Sequence, residues 1–459
     1  MEIFVINDSE DLNRVSSLKS GGKHNIFVDI TRDFGIIVDK SGDKETTLAF
    51  KLYDKTNNAS LAVLEKFISD LSDHIFFGIE NKLILFIDAK NTIKNVYNNY
   101  DKSYKNIIDI KIVSILEGNH LAAKISQLDN FCDFTTFLES RKNIYTEIQK
   151  YYFNVNFPEI YSIMINSIDP YIEIENHGLA FDKIDSNVLN SLDARNGKLY
   201  FNYNLTGTIT GRTSSKIHPL SKEIKKNIKP SKGNIFVNFD YNAGEARVLA
   251  HYSEDEDLID IFKQDNDLHK INAALIFGKK SEEEVTNQER MVSKLVFFSI
   301  INGVSTKTLS DDLKKFKIES TKVNEIKSAL QKIYKKSFSW LNQVQTDALS
   351  NKTVTNMFGR TRYLSEEIKE SETKARRQAS NAIIQSTLSD VKLIALNDIH
   401  KKYKGILAAE FHDAILIEIE INDKVNGIIS DICNIMAQIG ERYKFKCPLK
   451  VNYEAKEHL

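Results

Sequence analysis

"FVNFDYNAGEARVLAHYSEDEDLIDIF", residues 236–262, decides how the chain is to be read. Its opening alternates: Phe236, Asn238 and Asp240 fall on one face of an extended strand, Val237 and Phe239 on the other. The pattern then changes at once to helical spacing, with Glu245 and Arg247 in its first turn. Asp240 thus stands at the tip of a strand, where a carboxylate is rigidly held and open to a ligand. Two readings fit that position: a metal-binding carboxylate, or an N-cap that accepts amide hydrogen bonds at the start of the helix.

The 459 residues are 42% hydrophobic and 27% charged, enough to bury a large core and to form two or three domains. A net charge of −1 demands no polyanionic partner, although a balanced total can hide a basic cleft. Cys132, Cys433 and Cys447 lie far apart with no C-x-x-C spacing, which suits a reducing compartment and argues against a structural zinc site. The start, "MEIFVINDSEDLNRV", has neither a basic opening nor an apolar stretch of signal length. No run of 18 apolar residues occurs, so the expectation is a cytoplasmic protein with no membrane partner.

Prolines 158, 170, 219, 230 and 448 bracket a middle segment and leave 1–157 and 231–447 free of helix breakers. The first part alternates β-rich runs ("NIFVDI", "FGIIV", "TTLAFKLY") with helical "LAVLEKFISDLSD", a mixed α/β domain. From about 141 to 200 the pattern predicts helix. "GKLYFNYNLTGTITGRTSS" is hydroxyl-rich and irregular, 253–350 reads as a series of amphipathic helices, and "TVTNMFGRTRYL" as a hairpin. A further helix over 373–400, a strand pair in "ILAAEFHDAILIEIE", and a last helix before "CPLKVNYEA" complete the chain.

In "EFHDAILIEIE" (410–420), His412 and Asp413 sit between two apolar runs, as in the tight turn of a hairpin. Asp413 is then a second carboxylate displayed from sheet. Two such aspartates on adjoining strands could hold two Mg²⁺ ions roughly 3.5–4 Å apart, the arrangement that serves in-line phosphoryl transfer. In "RMVSKLVFFSIING" (290–303), Arg290, Lys294, Phe298 and Asn302 recur every four residues, so on a helix they form one stripe about 18 Å long. That stripe would suit a triphosphate at its cationic end and a base over Phe298; equally, Arg290 and Lys294 could be solvated and Phe298 part of a core.

Five blocks, taken in order, resemble the DNA polymerase I family, the A family of template-directed DNA polymerases. "FNYNLTGTITGRTSS" is similar to the family's T-x-T-G-R-x-S-S segment, "DYNAGEARVLAHYS" to its first catalytic block, and "RMVSKLVFFSIING" to its nucleotide-binding fingers helix. "RRQASNAIIQSTLSD" resembles the template-contacting helix, and "FHDAILIEI" the second catalytic block. The match runs from "YIEIENHGLAFD" (171–182) to the closing "CPLKVNYEA".

The resemblance implies an α+β chain with the palm and fingers of a right-hand polymerase over 141–459, the palm at about 160–252 and 391–459 and the fingers at about 253–390. It implies that Asp240 and Asp413 are catalytic and bind two Mg²⁺ ions. Glu245 would lie beside the incoming sugar and block a 2′-hydroxyl, a repulsive device that selects deoxynucleotides over ribonucleotides. Arg290, Lys294 and His269 would contact the phosphates, and Phe298 and Asn302 would complete the nucleotide site. Arg212, Arg377, Asn381, Gln385 and His412 would contact DNA at the primer terminus, template and minor groove. The partners implied are a DNA primer–template, deoxynucleoside triphosphates and a separate processivity protein. The setting implied is the cytoplasm of a bacterial or virus-infected host cell.

The chain departs from the family at four points: Asn302 replaces a stacking tyrosine, Ala414 a third acidic residue, and Ile383 and Ser386 a proline and a glycine beside Gln385. Residues 1–140 resemble a 3′–5′ exonuclease-type domain of RNase H-like fold. Its acidic set is degenerate, with Thr31 where a glutamate should follow Asp29, Leu85 where an aspartate should follow Asn81, and no Tyr-x-x-x-Asp after Asp109. The expectation is a retained fold without proofreading. Only 23 residues (183–205) separate Asp182 from Thr206, where the family has the long thumb helices; two helices of about 20 residues each do not fit there. A reduced or absent thumb predicts low processivity. The alternative is a catalytically weak or silent DNA-binding relative; a single-subunit RNA polymerase is opposed by Glu245.

Overall fold

The structure, a computed structural model, describes residues 159–459 except Ile209, Lys317 and His412, and, of the preceding part, six strands together with Lys90 and Ile112. The chain divides into two compact units, Met1–Glu173 and Ile174–Leu459.

In the first unit the strands are β1 (Glu2–Ile6), β2 (His24–Ile30), β3 (Phe34–Ser41), β4 (Lys44–Lys51), β5 (Leu83–Phe86) and β6 (Ile107–Asp109). They form one sheet in the order β1-β4-β3-β2-β5-β6. β2, β3 and β4 make an antiparallel meander, while β5 and β6 extend it in parallel from β2, and β1 runs parallel to β4 at the other edge. Helices α1 (Glu159–Asn166) and α2 (Ile168–His177) follow.

The second unit does not continue as helix. Gly178, at φ +63°, ends α2 in the left-handed region that favours glycine. The chain then gives β7 (Leu179–Phe181), the four-residue α3 (Ser186–Leu189), β8 (Asp193–Arg195), β9 (Lys198–Tyr200), β10 (Tyr203–Asn204), β11 (Ser214–Ser215), α4 (Lys222–Lys225) and β12 (Ile228–Lys229). The helical expectation for 141–200 therefore fails over 178–200, which belongs to a small sheet in the order β12-β7-β9-β8. Strands of three residues are too short to show a period of two, and that is why the sequence pattern hid them.

β13 (Asn234–Tyr241) leads through a tight turn into α5 (Gly244–Ser253). The helices α6 (Glu256–Lys263), α7 (Leu268–Phe277), α8 (Asn287–Ile301), α9 (Thr306–Lys314), α10 (Ser320–Ile333) and α11 (Lys335–Asn351) follow, in line with the amphipathic pattern. The hairpin β14 (Thr353–Thr355) and β15 (Thr361–Tyr363) precedes α12 (Ser365–Glu370) and the 31-residue α13 (Glu372–Lys402). β16 (Leu407–Phe411), β17 (Ala414–Glu420), α14 (Val425–Arg442) and β18 (Val451–Lys456) close the chain.

The central sheet, ordered β16-β17-β13-β18, is antiparallel throughout. β13 lies inside it, with Phe236, Val237 and Phe239 fully buried; each such side chain contributes about 1.5–3 kcal/mol relative to exposure. Tyr241 Oη donates to Met436 O of α14 at 3.1 Å, fastening that helix to the sheet. α13 is buried nearly all round from Ala379 to Ile399, and its buried polar residues are partnered rather than solvated. Asp390 takes the guanidinium of Arg360 (Nη2 to Oδ1, 2.6 Å) and an amide hydrogen bond from Asn356, which pins the β14–β15 hairpin. Ser389 donates to Gly211 O, and Thr387 shares a hydrogen bond with Tyr252. Gly211, at φ +77°, is required there, since a Cβ would lie 2.8 Å from the Arg360 guanidinium.

Glu418 on β17 locks the start of β13 to the end of α2. Its carboxylate accepts from Ser231 N (2.7 Å) and Asn234 Nδ2 (2.9 Å) and lies 2.9 Å from His177 Nε2. Burial alone would raise its pKa, but the hydrogen bonds from His177, Asn234 and Ser231 outweigh burial and hold it at about 2. Since the folded value lies below the unfolded one, the resulting stability is fully present above about pH 4.5 and is lost as pH falls towards 2. Glu418→Gln should therefore cost about 2 kcal/mol at pH 7, solvent screening allowed for, and much less near pH 2. Urea titrations of both proteins across that range check it; a cost that does not change with pH would show that charge is not the cause.

Candidate active site

Asp240 is the seventh residue of β13, and its register partners are Ala414 on β17 and Asn452 on β18. Asp413 occupies the turn between β16 and β17, one residue before Ala414. The two carboxylates thus come from adjoining strands at the same end of the sheet. Asp240 is no helix cap: the N-cap of α5 is Ala243, in the left-handed conformation at φ 48° and with no side-chain cap. Arg247 is buried and structural, its Nε and Nη1 donating to Asn242 O (2.8 Å) and Pro448 O (2.6 Å). It holds the turn after Asp240 against the C-terminal segment.

Asp240 and Asp413 line a cavity of about 540 Å³. Asp240 remains solvent-accessible at the cavity edge, but partial desolvation, with the negative charge of Asp413, pushes its pKa up to about 6 against the pull of Lys294. Arg212 Nη2 bridges Glu245 Oε1 (3.0 Å) and Asp413 Oδ2 (3.1 Å). Burial raises the pKa of Glu245, and the Arg212 charge works against that rise. Ala414 keeps a third acid from standing opposite Asp240.

The opposite wall is α8. A capping box starts it: Thr286 Oγ1 accepts from Glu289 N at 3.2 Å, and Glu289 Oε2 accepts from Thr286 N at 2.8 Å. Arg290, Lys294, Phe298 and the C-cap Asn302 all line the cavity. The four residues of the stripe thus share one wall of the cavity. Arg290 is fixed through Nε to Asp267 Oδ2 at 2.7 Å, while Asp267 caps α7 by accepting from His269 N and Lys270 N. His269 packs against Phe297 and Phe298 with ring centroids at 6.2 and 5.5 Å, and its Nδ1 has no hydrogen-bond partner among the described residues. Burial, with Arg290 and Lys294, holds its pKa down at about 4 against Asp267, so the ring is neutral at pH 7.

Asn302 is a polar junction. Its Oδ1 accepts from Gln385 Nε2 at 3.4 Å, and its backbone carbonyl accepts from Asn381 Nδ2 at 3.2 Å. Gly303 follows at φ +66°, where a Cβ would meet the Arg377 side chain at 2.9 Å. Arg377, Asn381 and Gln385, spaced by four, thus form one stripe of α13 at the end of α8. His412 lies outside the described residues. Sequence reasoning missed Asp267, Lys450 and Asn452, which also line the cavity. Asp267 was legible as an N-cap before "LHKINAA"; Lys450 and Asn452 reach the site only through the β13–β18 pairing, which no local pattern announces.

The family model described as DNA polymerase family A matches residues 173–458. The DNA polymerase I of Caldicellulosiruptor bescii is 30% identical over 290 residues, 59% of this chain and 33% of that protein. The DNA polymerase of Bacillus phage SP01 is 31% identical over 271 residues, 53% of this chain and 29% of that protein. The chain thus spans about a third of the length of the curated relatives it matches. The POL domain of Pol1 from M. smegmatis, in complex with DNA primer-template and dNTP, aligns with a TM-score of 0.73 at 16% identity, over 100% of this chain and 99% of that one, a likeness of fold. With the strand-end Asp240, the hairpin Asp413 and the cationic face of α8 all inside the matched residues, the chain belongs to DNA polymerase family A.

Proposed function

We propose that the chain is a template-directed DNA polymerase that adds deoxynucleotides to a primer 3′ end by phosphoryl transfer. One observation carries this reading: the Asp240–Asp413 pair faces the cationic stripe of Arg290 and Lys294 across a single cavity. A carboxylate pair alone would suit a cation and a cationic helix alone an anion. Facing each other, they suit a triphosphate whose reacting phosphate lies on the carboxylate side.

The residues fit a divalent cation. Two carboxylates at adjoining strand ends, one with its pKa raised partly by the other's charge, match the oxygen donors of a hard ion of the Mg²⁺ type, which leaves its other positions to water and phosphate. Two such ions would supply charge neutralisation at the phosphates and a lowered pKa for a bound hydroxyl. The chain's own side chains do the positioning: Arg290 and Lys294 hold the outer phosphates, and neutral His269 offers a hydrogen bond without adding charge. Phe298 packs against the base. Arg212, Arg377, Asn381, Gln385 and His412 contact the DNA.

Met1–Glu173 supports an RNase H-like reading through its antiparallel meander extended by two parallel strands. In that sheet Asp29 and Asp109 belong to β2 and β6 on either side of β5, where Leu85 replaces an acid; the expected gap at Thr31, and Asn81, lie outside the described residues. We read this unit as lacking proofreading. A reduced thumb and low processivity are supported by the connection 183–205, whose helix α3 has only four residues.

Primer extension with Mg²⁺, comparing deoxy- with ribonucleotides, tests the reading. The wild type is expected to extend with deoxynucleotides only, and Glu245→Ala to admit ribonucleotides by removing the clash, raising their relative use about tenfold or more at some cost to deoxynucleotide turnover. Equal discrimination by both proteins would move the gate elsewhere. DNA binding without any extension would favour the silent alternative.

A further inference from the structure

Between Lys216 and Lys232 the chain has six lysines and one acidic residue, Glu223, in a protein whose total is 62 basic against 63 acidic residues. The segment includes α4 and β12, ending where β13 begins. Lys225 turns inward, its Nζ donating to His218 O at 3.0 Å and lying 5.4 Å from the centroid of the Phe411 ring. His218 Nε2 in turn lies 3.1 Å from Glu410 O. The segment is thereby fastened to the hairpin that bears Asp413, and Phe411 is within about 7 Å of chain of that residue.

Lys216, Lys222, Lys226 and Lys232 point to solvent and have no ion-pair partner among the described residues. Some exposed lysines elsewhere are paired, as Lys314 is with Asp311 and Lys402 with Asp431, and others are not; what sets this segment apart is the density of lysines against a single acidic residue. Lys222 and Lys226 are one helical turn apart and share a face. Lys229 pairs with Asp182 and joins the segment to the sheet that carries the shortened 183–205 connection. An unneutralised cationic surface beside the catalytic hairpin calls for a polyanion.

We infer that Lys216, Lys222, Lys226 and Lys232 form a surface that grips the phosphate backbone of duplex DNA next to the active site, taking over part of the hold that long thumb helices would provide. The inference rests on the polymerase reading. Each phosphate neutralised by a lysine releases counterions and steepens the salt dependence of binding by about 0.9 in log–log slope.

Binding of a primer–template duplex is measured from 50 to 200 mM salt for the wild type, for Lys222→Gln/Lys226→Gln/Lys232→Gln, and for a charge-matched control, Lys322→Gln/Lys332→Gln/Lys335→Gln. The first triple variant is expected to have a slope shallower by about 3, so that its affinity falls about 40-fold less over that range, while the control follows the wild type. At low salt and saturating DNA its turnover equals that of the wild type. Equal slopes for the two triple variants would overturn the inference. Extension assays on the same preparations report separately on the underlying reading: a slope difference with no extension by the wild type would remove the polymerase and leave the surface.

Discussion

Asp240→Asn and Asp413→Asn each lose primer extension, kcat falling by at least about a thousandfold, while duplex binding stays within about twofold of wild type. Asparagine keeps the shape and removes the charge. On the proposed reading, each variant loses a carboxylate beside the reacting phosphate but no contact to the duplex. Unfolding can be separated from this loss. The folded pKa of Asp240 is raised from 3.8 to about 6 by partial desolvation and by Asp413, so ionising it costs stability that builds up between about pH 3.8 and pH 6 and is fully present above pH 6. Asp240→Asn should thus be at least as stable as the wild type at pH 7 in metal-free buffer. Turnover within tenfold of wild type in either variant would sink the assignment.

The second large effect lies behind the site. Lys392 of α13 and Glu410 of β16 form an ion pair with both side chains fully buried, and Thr213 Oγ1 donates to the other oxygen of the same carboxylate. Tyr203 reaches the backbone of Glu410 from a third direction, accepting from its N–H at 3.2 Å. Glu410 stands three residues before Asp413, and Thr213 directly follows Arg212, so this pair sets both ends of the Arg212–Asp413 contact. Removing one partner strands a charge in the core. Lys392→Met alone, or Glu410→Gln alone, should cost about 3–5 kcal/mol, whereas the double variant should recover most of the loss. Urea denaturation of the three proteins decides it: a near-neutral single variant would mean that water or a rearranged partner rescues the orphaned group.

Lys392 also shows where sequence reading stops. A lysine in the run "STLSDVKLIALN" looks like a solvated position, because its partner lies on a strand eighteen residues on and the helix is buried on every side. The same holds for Glu418 and His177, joined only once β17 lies beside the start of β13. By contrast Asp240, Asp413 and the four-residue spacing of Arg290, Lys294, Phe298 and Asn302 were legible, because each follows from local periodicity: a strand end, a hairpin turn, a helix face. That they converge on one cavity was legible only through the order of the blocks. The small sheet over 178–200 was not, since its strands have three residues or fewer and Gly178 acts through a left-handed turn rather than a pattern.

Single-nucleotide incorporation on four primer–templates that differ only in the templating base tests the central claim most directly. With Mg²⁺ and one deoxynucleotide at a time, the wild type should add the complementary nucleotide at each template, and both aspartate variants should add none. Incorporation indifferent to the template base, or turnover that survives in Asp240→Asn and Asp413→Asn, would contradict it.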